Sequence, residues 1–72
     1  EMVEGRAADV CISGMSLKTV AKLAEGVPAF RNGGIGVYSE NGFVHLDVRG
    51  HRARWGKVGR EYVSIEEALR HA

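Results

Sequence analysis

The sequence has few of the features that mark a disulfide-stabilised, membrane-spanning or nucleic-acid-binding protein. It holds one cysteine, Cys11, so neither an internal disulfide nor a cysteine-based zinc knuckle can form. Its apolar runs are far shorter than the ~20 residues that cross a bilayer, so no membrane span is predicted. Ten lysines and arginines against nine acidic residues give a net charge of +1. This balance does not predict nucleic-acid binding.

The overall amino-acid composition is typical of one small folded domain. Hydrophobic residues make up 44% and charged residues 26% of the 72 positions, which supports a core and excludes an intrinsically disordered chain. We therefore expect a single domain over residues 1–72, with the marginal stability that is usual at this length. Because the sequence starts at Glu1 without an initiator methionine, we expect it to be part of a longer protein.

Local signals predict two helices. Ser16 is a good N-cap, and the apolar residues after it recur at 3.6-residue spacing, which predicts a helix over residues 17–25. Gly26 is expected to end this helix with a positive φ, and Pro28 to prevent its resumption. Ser64 stands three residues before a glutamate, a capping box that predicts the second helix.

Alternating apolar segments bounded by turns predict the strands. They cover residues 7–12, 35–38 and 43–49, and residues 52–55 form either a short further strand or a turn. Asn41-Gly42 is the strongest hairpin signal in the chain, so strands 35–38 and 43–49 are expected to form a central hairpin. The predicted fold class is α+β, with a small antiparallel sheet, this central hairpin and two helices.

Strand 43–49 carries the most chemically versatile side chains. Because side chains alternate across a strand, the aliphatic residues at 44, 46 and 48 share the core face. His45, Asp47 and Arg49 then lie together on the opposite face. That face either binds a metal ion or substrate group, or is the ordinary solvated face of an antiparallel sheet.

Asp9 bears on this choice, because aspartate is depleted in strands and here stands in an otherwise apolar one. If the two strands are neighbours, Asp9 and His45 face each other across the sheet. A carboxylate and an imidazole suit zinc, and a third ligand would complete a catalytic site with an open water position. The alternative is an ion pair of Asp9 with a histidine or an arginine that closes a small domain. Both interpretations predict that Asp9 lies close to His45.

Three segments carry motifs in a fixed order. They read GRAADV at residues 5–10, GGIGVY at 33–38, and GFVHLDVR at 42–49 with RARW at 52–55. In order and spacing these segments resemble the zinc D-alanyl-D-alanine carboxypeptidases, which are peptidoglycan peptidases that share their fold with the zinc domain of hedgehog proteins. The resemblance extends from about Gly5 to Trp55.

The resemblance implies roles for individual residues. Asp9 and His45 would be zinc ligands, and Asp47 would either handle protons on the zinc-bound water or hold the site in orientation. The family pattern has its first histidine ligand seven residues before Asp9, where this sequence has Met2, whose thioether suits copper rather than zinc. That histidine either lies upstream in a shifted register or is lost. We therefore expect the isolated chain to bind zinc poorly and to show little peptidase activity.

The function implied by the resemblance is a zinc-dependent peptidase of the carboxypeptidase type that cleaves peptidoglycan stem peptides with metal-activated water. Arg49 is the first candidate to bind the carboxylate of such a peptide. The chain would be the C-terminal part of the peptidase domain, in a periplasmic, extracellular or phage-derived lytic protein. The alternative is a non-catalytic peptidoglycan-binding module of the same fold that has lost its metal site. A nucleic-acid module based on the arginines between 49 and 60 ranks last, because a local density of basic residues is its only support.

Overall fold

The structure is a computed structural model that describes residues 7–72. Within these residues the chain forms five strands, β1 (Ala7–Val10), β2 (Gly34–Tyr38), β3 (Phe43–Asp47), β4 (Ala53–Val58) and β5 (Glu61–Val63). It also forms three helices, α1 (Leu17–Glu25), α2 (Pro28–Arg31) and α3 (Ile65–His71). In this part of the chain no helix has the length and apolarity needed to cross a membrane.

The helix ends follow from local hydrogen bonds. α1 has the predicted bounds, and the Ser16 hydroxyl accepts the Thr19 N–H as its cap. The predicted positive φ at Gly26 is wrong, because this residue stays in the right-handed region at φ −82°. Pro28 begins α2 rather than preventing a helix, since the first position of a helix needs no N–H. The structure therefore has one helix more than predicted. The Ser64 cap of α3 is confirmed.

The α+β class and the central hairpin are confirmed, but the sheet is mixed rather than wholly antiparallel. Its strand order is β1-β3-β2-β4-β5. β3 pairs antiparallel with both β1 and β2, whereas β4 pairs in parallel with β2. The reason is that β1 already pairs with the other edge of β3. β3 ends beside the start of β2. The chain then crosses this end of the sheet to the free edge of β2, so β4 begins at the same end as β2 and runs parallel to it.

The helices cover one face of this sheet. The fully buried side chains Ile35, Val37 and Val44 point to that face, and they pack in one core with the buried residues of α1 and α3. Gly56 on β4 lets α3 come close, because a Cβ at this position would overlap the Cβ of Ala68. Within the described residues, the opposite face is left without a helix.

An ion pair between Arg54 and Glu25 ties β4 to the end of α1. Nε and Nη2 of Arg54 donate to the two carboxylate oxygens of Glu25 at 2.8 and 2.9 Å. These hydrogen bonds lower the pKa of Glu25 from its ordinary value of 4.5, although burial acts in the opposite direction. The pair therefore stabilises the folded chain while Glu25 is ionised.

Glu25→Gln tests this pair through the pH dependence of stability. A carboxyl whose pKa is lower in the folded state contributes stability above the unfolded pKa and loses it as the pH falls through the folded pKa. We expect the variant to be less stable than the parent above about pH 4.5, and the difference to shrink progressively as the pH falls below that. Urea unfolding between pH 7 and pH 3 measures this, with Glu61→Gln at an exposed position of β5 as control. Equal stabilities at pH 7 would contradict the assignment.

Candidate metal centre

The face of the sheet opposite the helices carries a row of functional side chains. Asp9 is paired with His45 across β1 and β3, and His45 with Gly36 on β2, which in turn faces Trp55 on β4. The Asp9 Oδ1 and His45 Nδ1 atoms are 2.9 Å apart. The prediction that Asp9 and His45 lie together on one sheet face is confirmed.

His45 contacts a carboxylate at each of its two ring nitrogens. Nδ1 faces Asp9, and Nε2 lies 3.0 Å from Oδ2 of Asp47. Exposure falls steadily along this chain of groups: the side chain of Asp9 is 56% exposed, that of His45 26% and that of Asp47 8%. Asp9 is thus the solvent-facing end of the cluster and Asp47 its interior end.

Asp47 is buried, although it lies on the face that an ordinary antiparallel sheet would leave solvated. Its Oδ1 accepts the Gly34 N–H at 2.9 Å and Nε of Arg49 at 2.8 Å, and its Oδ2 accepts Nη2 of Arg49 at 2.6 Å. Hydrogen bonds from Arg49 hold the pKa of this carboxyl far below its ordinary value, despite the opposing effect of burial. Asp47 is therefore an ionised acceptor at neutral pH.

The ionised Asp47 determines where His45 carries its proton. A carboxylate can only accept, so Nε2 must donate, and in a neutral imidazole Nδ1 then has a lone pair. Both nitrogens face a carboxylate, and this assignment places the proton on the bond to Asp47, the carboxyl that Arg49 keeps ionised. The lone pair of Nδ1 faces an oxygen of Asp9 at 2.9 Å, and two acceptors this close need a cation between them. Either a second proton on His45 or a metal ion meets that need.

The donor types at this position fit zinc. Zinc binds imidazole nitrogen and carboxylate oxygen at ~2.0–2.2 Å, and a zinc-bound histidine usually donates its other N–H to a carboxylate, as His45 does to Asp47. Asp9 and His45 would supply two protein ligands to such an ion, whereas residues 7–72 hold no group of three or more His, Cys, Asp or Glu side chains that could bind a metal. Residue 2, where the resemblance places a histidine ligand and this sequence has Met2, lies outside the described residues.

Arg49 lies within the cluster and binds Asp47 directly. Its guanidinium carbon is 5.0 Å from the ring centre of Trp55, and its side chain is 37% exposed. Because Nε and Nη2 bind Asp47, the Nη1 edge is the part of the guanidinium that remains for a substrate. The predicted substrate role of Arg49 stays a prediction.

Two glycines of β2 make room for the cluster, and sequence analysis missed their role. A Cβ at Gly34 would lie 2.6 Å from both carboxylate oxygens of Asp47, and one at Gly36 would overlap the indole ring of Trp55. The signal was present, because glycine inside a strand often marks the close approach of another group. The alternation of Gly34 and Gly36 with Ile35 and Val37 therefore indicates that residues 34–37 place no side chain on the open face and aliphatic side chains on the helix face.

Fold and site define an α+β domain with a carboxylate–imidazole cluster on an open sheet face. Residues 1–55 match the M15 peptidase family described as peptidoglycan L,D-endopeptidase MepK. Because the match covers more than half of the 72 residues, the chain belongs to this family of peptidoglycan peptidases. The predicted relation to such peptidases is confirmed at this level, although the matched family is described as an endopeptidase rather than a carboxypeptidase. Neither a curated protein nor a solved structure gives a significant match.

Gly36→Ala tests the packing beneath the site. The added methyl group overlaps the ring of Trp55, so we expect the free energy of unfolding to fall by about 1–3 kcal/mol. The fluorescence of Trp55, the one tryptophan, should change as well. In a Trp55→Ala background the same substitution should cost much less, because the space is then free. Urea unfolding of the four proteins measures both values, and equal costs in the two backgrounds would refute the contact.

Proposed function

We propose that this protein is a zinc-dependent peptidoglycan peptidase in which Asp9 and His45 are metal ligands. The observation that carries the proposal is the contact of 2.9 Å between Nδ1 of His45 and Oδ1 of Asp9. With the Nε2 proton directed to Asp47, this contact requires a cation. Membership of the M15 peptidases, which are generally zinc-dependent, favours zinc as that cation. The third protein ligand would come from outside residues 7–72.

Asp47 acts in this proposal as a positioning residue, the second of the two roles that the sequence implied. It contacts the ring nitrogen of His45 that points away from Asp9, and each of its oxygens already accepts at least two hydrogen bonds. Such a carboxylate fixes the orientation of the imidazole and raises its basicity towards a metal. It has no free oxygen to take a proton from a substrate water.

The metal, when bound, supplies a polarised water and a Lewis acid for the scissile carbonyl. Residues of this chain orient the ligand ring and bind the peptide. We propose a peptidoglycan stem peptide as substrate, with Arg49 contacting one of its carboxylates through Nη1. The endopeptidase description of the family favours an internal bond over the terminal D-Ala-D-Ala bond. A substrate in the cell wall in turn supports a periplasmic, extracellular or phage-derived setting.

Asp9→Asn in the complete protein tests the metal site. Asp9 is 56% exposed, so the substitution should change the free energy of unfolding by less than ~0.5 kcal/mol. Removing a metal ligand should nevertheless weaken zinc binding by more than about tenfold. Zinc should therefore raise the melting temperature of the parent but hardly that of the variant. Calorimetric zinc titration and hydrolysis of a stem peptide complete the measurement.

Glu40→Gln, which removes an exposed carboxylate of the β2–β3 turn, is the matched control and should behave as the parent. A parent protein that neither binds zinc nor cleaves stem peptides would overturn the proposal. If that protein still bound peptidoglycan, the binding-module alternative would take its place.

A further inference from the structure

One peptide group beneath the site is bound by side chains from both faces of the sheet. The carbonyl of Gly33 and the N–H of Gly34 belong to the same peptide plane. On the open face, this N–H donates to Oδ1 of Asp47 at 2.9 Å. The carbonyl accepts Nη1 of Arg54 at 2.9 Å and the N–H of Ala53 at 3.0 Å. A cation and an anion therefore bind opposite ends of a single amide.

Arg54 reaches this amide from the helix face. Its neighbour Trp55 lies against His45 on the open face, so alternation places Arg54 on the other side of the sheet. Both oxygens of Glu25 bind its Nε and Nη2 atoms, and the side chain is only 13% exposed. Glu25 thus holds the guanidinium in one orientation, with Nη1 directed at the Gly33 carbonyl.

Hydrogen bonds in series through an amide reinforce one another. A cation at the carbonyl oxygen polarises the peptide group, so that its N–H becomes a stronger donor. The acceptor of that N–H is the buried carboxylate of Asp47. Only glycine permits this approach, because a Cβ at Gly33 would overlap the backbone oxygen of Asp47 and one at Gly34 would meet its carboxylate.

We propose that Arg54 is a positioning residue for Asp47, acting from the opposite face of the sheet through the Gly33–Gly34 peptide. Arg49 binds the same carboxylate on the open face, so the two arginines hold Asp47 from both sides. The carboxylate is thereby kept against Nε2 of His45. The consequence for zinc binding rests on the proposed function. The polarisation of the Gly34 N–H by Arg54 through the peptide group, which we call the relay, does not.

The amide proton of Gly34 reports on this relay in the metal-free protein. Arg54→Gln should move its NMR signal upfield, because the N–H is less polarised and its bond to Asp47 is weaker. Its hydrogen exchange should become about tenfold faster relative to the amide of Val37, the reference for general destabilisation. Arg54→Lys keeps a charge that can reach one carbonyl and should restore part of the shift.

Arg52→Gln is the matched control. Arg52 and Arg54 both donate to the Arg31 carbonyl at 3.0 Å, and Arg52 lies 3.5 Å from Glu25. The amide that Arg52 contacts does not bind Asp47. Its substitution should leave the Gly34 signal in place. If Arg54→Gln does not fold, Glu25→Gln keeps Arg54 but releases its guanidinium, and should give a smaller shift in the same direction.

An unchanged Gly34 signal in folded Arg54→Gln, or an equal change in Arg52→Gln, would overturn the proposal. In the complete protein, zinc affinity should fall several-fold in Arg54→Gln and recover in Arg54→Lys. A moved Gly34 signal in a protein whose parent binds no zinc would support the relay and contradict the proposed metal site, so the two failures are distinguishable.

Discussion

The buried negative charge of Asp47 is the constraint on which the rest of the site depends. A carboxylate on a side chain that is 8% exposed is costly in the folded state unless donors replace the water it has lost. Here a backbone amide, an arginine and a histidine supply those donors. Binding Asp47 then determines the residue type or the conformation of each donor. Gly34 must lack a side chain, Arg49 must fold back onto β3, and His45 must direct Nε2 towards Asp47.

The same constraint explains the sequence of the central strand. β2 must supply aliphatic side chains to the helix face, where Ile35 and Val37 are fully buried. At Gly34 and Gly36 it must supply none to the open face, because Asp47 and Trp55 occupy that space. Alternation of glycine with β-branched residues over residues 34–37 meets both requirements. Glycine weakens an isolated strand, but β2 is flanked by β3 and β4 and is held by hydrogen bonds on both edges.

Features that depend on neighbouring residues could be predicted from the sequence, and those that depend on distant ones could not. The helix after Ser16 and the hairpin at Asn41-Gly42 follow from caps and turns. Alternation indicated that Asp9 and His45 would face each other only on the condition that their strands pair, which β1 and β3 do. The parallel pairing of β4 and the position of β5 depend on which edge of the sheet remains open. The burial of Asp47 depends on the close packing of side chains against Gly34 and Gly36. Two of the partners of Arg54, Gly33 and Glu25, lie 21 and 29 positions away, beyond the range of any local pattern.

The two interpretations that the sequence left open, an ion pair or a metal site, describe two occupants of one position. With Nε2 of His45 donating to Asp47, a proton on Nδ1 gives an ion pair with Asp9, and a metal ion at the same lone pair gives coordination by both residues. A metal can bind only by displacing that proton. The two carboxylates outnumber the single guanidinium of Arg49 in this cluster, so one further positive charge at Nδ1 of His45, from a proton or a metal ion, balances it. The inner carboxylate orients the ring, and the outer one, Asp9, remains exposed and able to receive the ion.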